Sequence, residues 1–108
     1  MRRARRSTIR RAEQALAALD RLVTIAQSDT GQSRRVANFL LAWWNAGSCG
    51  GFDFSDLWMV DTAIADDIQA VIRLIATSHE YPTAYGLGPQ FERLVADWRP
   101  HLLQPKPE

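Results

Sequence analysis

The stretch VANFLLAWWNAGSCGGFDFSDLWMVD, residues 36–61, holds three of the four tryptophans, the only cysteine and a glycine-aspartate turn. At about 100° per residue, Val36, Phe39, Leu40, Leu41, Trp43 and Trp44 fall on one continuous apolar arc of roughly 200°. A surface helix of a globular protein needs about half that width. The helix expected over about Gln32 to Ala46 is therefore either central and packed on two sides, or it turns one flank, Leu41 and Trp44, toward a partner. Asp29-Thr30-Gly31 ahead of it supplies both a break and an N-cap. Behind it, Gly47-Ser48-Cys49-Gly50-Gly51 reads as a turn, because glycine adopts backbone conformations that other residues resist.

Beyond the turn, Asp53 or Ser55 caps a helical turn through Leu57, Trp58 and Val60. It either continues into the next helix or kinks at Asp61-Thr62. From Thr62 to Ser78 an apolar stripe of Ile64, Ile68, Val71, Ile72 and Ile75 lies opposite Asp66, Gln69, Arg73 and Thr77, which specifies an amphipathic helix. Residues 79–91, with Pro82, Gly86, Gly88 and Pro89, form an irregular connection that Tyr81 and Tyr85 are expected to pin to the body. Pro89 starts a last helix with Phe91, Leu94, Val95 and Trp98 inward, and Pro100 ends it.

Upstream, Ile9, Ala12, Leu16, Leu19, Val23 and Ala26 recur at alternating spacings of three and four, an a/d stripe that Leu22 and Ile25 widen. A helix from Ser7 or Thr8 follows. The expected architecture is a single compact all-α domain of four to five helices over residues 7–103, built on a Trp-rich central helix. A mobile basic arm, residues 1–6, precedes it and a frayed tail, residues 104–108, follows.

The chain of 108 residues, 46% hydrophobic, suits one domain. With 23% charged residues it is expected to fold rather than stay disordered. One cysteine allows no internal disulfide, and the amino end lacks the apolar run of a signal peptide, so a cytoplasmic location is expected. The net charge of +1 hides an asymmetry. The amino-terminal third is crowded with arginine, whereas the remainder is acidic, and arginine favours bidentate contacts to phosphate or carboxylate.

Candidate chemistry is sparse. Gly47-Ser48-Cys49 lacks the companions of a papain-type nucleophile, and Ala46 stands where a nucleophile elbow needs its first glycine. No Walker loop exists, the only lysine being Lys106. The start of the Gln32 helix, with Arg34 and Arg35, has the free N–H groups of an anion site, for which a solvated cap is the simpler reading. Asp53, Asp56 and Asp61 are candidates for a small metal-dependent enzyme, but they lack calcium-loop spacing, and helix capping accounts for them more simply. Asp61 and Asp67 border the apolar stripe, where one is expected to pair with an arginine. No cofactor and no metal is expected. Arg2, Arg3, Arg5, Arg6, Arg10 and Arg11, with Arg34 and Arg35, are the candidate contacts for non-specific, salt-dependent nucleic-acid binding. The spacing of the helices is too long for a helix-turn-helix.

The run Thr30-Gly31-Gln32-Ser33-Arg34-Arg35-Val36-Ala37, FLLAWWNA (39–46), GGFD (50–53), DLWMVDTAIADD (56–67), YP (81–82) and WRP (98–100) together resemble a family of small uncharacterised proteins carried on plasmids and integrative elements of proteobacteria. The resemblance covers about residues 30–100 and leaves the arginine end out. It implies a mobile-element context and no assigned catalytic residue. Small proteins of that context often bind host machinery, including inhibitors of defence systems such as CRISPR. The leading expectation is a non-enzymatic protein-binding module that uses Leu41, Trp44 and Trp58 as anchors on a host or defence-system partner. Nucleic-acid binding through the arginines is the alternative, and a carboxylate enzyme the third.

Overall fold

The computed structural model of the protein describes the backbone of residues 2–103 and the side chains of residues 9–103. Residues 104–108, expected to fray, lie outside the described residues. Four α-helices follow in order: α1 (Arg2–Ala26), α2 (Gly31–Cys49), α3 (Thr62–Ser78) and α4 (Gly88–Trp98). Short 3-10 turns at Phe54–Trp58, Pro82–Tyr85 and Pro100–Leu103 join or extend them. No strand occurs among the described residues, and the result is one all-α body.

Helix α1 begins at Arg2, so the boundary expected at Ser7 or Thr8 falls inside it. Arginine and alanine are good helix formers, and extending an existing helix costs little compared with nucleating one. Only the second half of its apolar stripe is covered. Ala15, Ala18, Leu19, Leu22, Val23 and Ala26 are buried, whereas Ile9 and Leu16 are exposed.

Thr30 caps α2 as expected, its hydroxyl accepting from the Ser33 N–H at 3.0 Å. The regular helical backbone of α2 breaks at Asn45 (φ −167°, ψ 86°), at the expected end near Ala46, and a separate helical turn follows to Cys49. The side chain of Asn45 accepts from the Ser48 N–H at 3.2 Å, recapping a final turn over residues expected to be loop. Gly50, at φ 95°, then stops the helix while its N–H still donates to the Ala46 carbonyl at 2.9 Å.

Helix α2 packs on two sides, against α1 and against α4, while α1 is the helix that meets all three others. One side meets α1, and Val36, Ala37 and Leu40 are buried in the core to which α1 and α3 also contribute. The other side meets α4, where Phe91 lies beneath both Trp43 and Trp44. Helix α3 runs antiparallel to α1, and the Arg21 guanidinium holds Asp67 through two hydrogen bonds of 2.9 Å. This is the expected carboxylate–arginine pair at the edge of the stripe. Ile64, Ile68, Val71 and Leu74 form the buried face of α3, and Ile72 turns outward. Placing Ile72 inward overstated the width of the stripe; Leu74 takes the core position.

The connection to α4 is fixed by Tyr85, whose hydroxyl shares a 2.7 Å hydrogen bond with Ser78. Tyr81, expected to help, is exposed. At the far end the Trp98 indole donates to the Ala26 carbonyl at 2.8 Å, closing α4 onto the end of α1. Arg99 donates to the Cys49 carbonyl at 2.8 Å and to Asn38 Oδ1 at 2.6 Å, tying α4 to α2. No described helix is long and apolar enough to cross a membrane.

Candidate functional site

The three residues expected to anchor a partner separate by burial. Leu41 is 0% exposed, inside the core between α2 and its neighbours, so it is not available to a partner. The arc was too wide for one neighbour because α2 has neighbours on both sides. Trp44 is half-buried and stacked on Phe91, with ring centroids 5.4 Å apart and planes 28° from parallel. Most of its apolar area is used internally. Trp58 alone projects, at 84% exposure.

Trp58 does not stand alone. Phe54 is 71% exposed and Met59 60%, so this short ridge of chain, the 3-10 turn and the residue after it, holds three large apolar side chains in solvent. Sequence reasoning missed Phe54 and Met59. The available signal was the density of large apolar residues in FDFSDLWM, too many for a segment of that length to bury.

The ridge sits on a fixed platform. Asp53 caps the turn, its Oδ1 accepting from the Ser55 N–H at 2.9 Å and the Ser55 hydroxyl at 2.7 Å. Those bonds hold the Asp53 carboxyl below the usual carboxylate range, with the side-chain hydroxyl the larger cause. The Phe54 ring meets Phe52 edge-on at 6.1 Å, and Phe52 meets Phe39 of α2 at 5.4 Å. Beneath the turn, Asp56 lies 3.5 Å from Arg35 Nε. Beyond it, the Gln32 side chain accepts from the Asp61 N–H at 2.7 Å and donates to the Asp61 carboxylate at 3.3 Å. The start of α2 therefore grips both ends of the segment that displays Trp58.

These contacts also account for the acids considered as catalytic. Asp53 caps, Asp56 faces Arg35, and Asp61 pairs with Gln32 at the start of α3. Among the described residues no three His, Cys, Asp or Glu side chains gather as one ion would require. Cys49 is buried, and its carbonyl rather than its thiol is the group in use.

The candidate nucleic-acid contacts divide as well. Arg35 donates to the Gly31 carbonyl at 3.3 Å and faces Asp56, so it is a structural residue. Arg34, Arg10 and Arg11 are exposed. The side chains of Arg2, Arg3, Arg5 and Arg6 lie outside the described residues, though their backbone is helical.

No curated protein and no solved structure matches the chain. A family model described as a family of unknown function (DUF7673) matches residues 16–99, from the covered half of α1 to Arg99. The chain belongs to that family of unknown function.

Proposed function

We propose that the protein is a non-catalytic protein-binding module that engages its partner through the Phe54–Trp58–Met59 ridge. The observation that carries this reading is the 84% exposure of Trp58 on a turn whose position is held by Asp53, Gln32 and the Phe39–Phe52–Phe54 ring chain. A large aromatic on a fixed support loses little conformational freedom on binding and buries about 150–250 Å², the property that makes tryptophan a frequent hot spot. The resemblance to small proteins of plasmids and integrative elements supports a host partner acting in the cytoplasm, such as a component of a defence system. Affinity capture from nuclease-treated host lysate tests this with the wild type beside Trp58→Ala. The reading requires that a partner retained by the wild type be lost from the variant, with its melting temperature unchanged. Equal retention by both proteins overturns it.

A second reading, contact with nucleic acid through α1, is favoured by one observation. Helix α1 begins at Arg2, and Arg10 and Arg11 are exposed with no ion pair among the described residues. Neutralising several phosphates makes affinity fall steeply with salt. Titration of a labelled duplex at two salt concentrations measures it, and binding that is insensitive to removal of residues 2–11 sinks it.

A further inference from the structure

Helix α1 carries an apolar line that the rest of the protein covers only in part. Ile9, Leu16 and Val23 are spaced by seven, so successive members lie two turns apart and about 20° from alignment. Val23 is buried, Leu16 is 37% exposed and Ile9 is 59% exposed. The line runs from the core into solvent along one helix. Ala12, also exposed, lies between the two open positions. On the flank beside the line, Arg10 and Glu13 are exposed, and neither has an ion-pair partner among the described residues.

We propose that this line is a self-association surface, on which α1 of a second copy lies antiparallel, with Leu16 of each copy against Ile9 of the other. The charges select both the occupant and the direction. Parallel pairing would set the six arginines between positions 2 and 11 of one copy beside the same six of the other. Antiparallel pairing in this register brings Arg10 of each copy within about one turn of Glu13 of its neighbour. It also lays the arginine-bearing first turns of each helix alongside residues 17–23 of the other, where Asp20 is exposed. The arrangement is two-fold symmetric and closed, so it stops at a dimer. Ala12 falls next to the symmetry axis, and its small side chain lets the helices approach closely.

Two to three turns per copy cover less than the roughly 1,200 Å² of a stable interface, so the dimer is weak, with Kd of about 10–100 µM. The surface is separate from the Trp58 ridge, and the proposal stands or falls independently of the proposed function.

Sedimentation equilibrium of nucleic-acid-free protein from about 10 to 500 µM tests it across that range. The wild type is expected to shift from monomer to dimer. Ile9→Ser, at a solvent-exposed position, is expected to weaken the dimer at least about tenfold, because both copies lose the contact, while circular dichroism and melting temperature stay unchanged. Glu13→Arg alone weakens it, and adding Arg10→Glu restores it. Trp58→Ala leaves it intact. In a Cys49→Ala background, oxidation of mixed Ile9→Cys and Leu16→Cys proteins gives the crossed disulfide dimer, whereas Ile9→Cys alone gives none. A monomer throughout the range overturns the proposal. So do association lost in Trp58→Ala but kept in Ile9→Ser, efficient cross-linking of Ile9→Cys to itself, and association that appears only on adding nucleic acid.

Discussion

Trp44 stacks on Phe91, with ring centroids 5.4 Å apart and planes 28° from parallel, and this contact closes the flank of α2 that the apolar arc leaves open. Phe91 is fully buried and also receives the edge of Trp43 at 6.0 Å. Phe91→Ala is expected to cost about 3–5 kcal/mol. In a double-mutant cycle with Trp44→Ala the two residues should couple by about 0.5–1.5 kcal/mol. Urea denaturation of the four proteins supplies both numbers, and additivity would show that the stacking adds nothing beyond area.

Leu41 and Trp58 were expected to act alike and are placed to behave oppositely. Leu41→Ala opens a cavity in the core and should cost about 2–5 kcal/mol. Trp58→Ala removes a side chain that stands in solvent and should stay within about 0.5 kcal/mol of the wild type. Selective quenching by iodide reports the same difference, since the accessible fraction of tryptophan fluorescence should fall in Trp58→Ala.

Arg99, at the carboxyl end of α4, holds both the Cys49 carbonyl at the end of α2 and Asn38 Oδ1 in the first half of that helix. Arg99→Ala strands both acceptors at a partly buried junction and should destabilise by about 1.5–3 kcal/mol. Lysine is not expected to restore the loss, because a single ammonium cannot reproduce the guanidinium fork that reaches both. A thermal melt in which Arg99→Lys equals the wild type would show that charge alone suffices.

The Asp53 carboxyl is held below its ordinary range by Ser55, so its contribution to the turn is present in full above about pH 4. It is lost as the pH falls through the lowered native value, because protonation removes the acceptor for the Ser55 N–H and hydroxyl. Ser55→Ala removes the larger of the two causes, and NMR titration should then place the Asp53 midpoint higher. No movement would mean that the hydroxyl contact is absent in solution.

Much of the architecture was legible from residue order. Thr30 signalled the start of α2, Pro89 that of α4, and Pro100 the stop after Trp98, because capping, a fixed φ and a missing N–H act locally. The helical form of the segment after the break at Asn45 was not legible: Gly47 and Gly50 favour a turn, and the Asn45–Ser48 contact that recaps the chain depends on one side-chain orientation. The site was half legible. Trp58 was singled out, but a 3-10 turn has three residues per turn, so helical spacing does not show which of its residues face inward.

The sequence by itself determined an all-α protein with a Trp-rich helix whose apolar arc is too wide for one neighbour, because the 3.6-residue period and the Pro and Gly punctuation are properties of the chain alone. Only the tertiary structure decided that Leu41 and most of Trp44 are covered while Phe54, Trp58, Met59 and Ile9 are not. Periodicity specifies which way a side chain points from its own helix axis. Whether another element arrives there depends on the length and angle of its neighbours: α4 reaches across α2 to Trp44, whereas Ile9 stays 59% exposed.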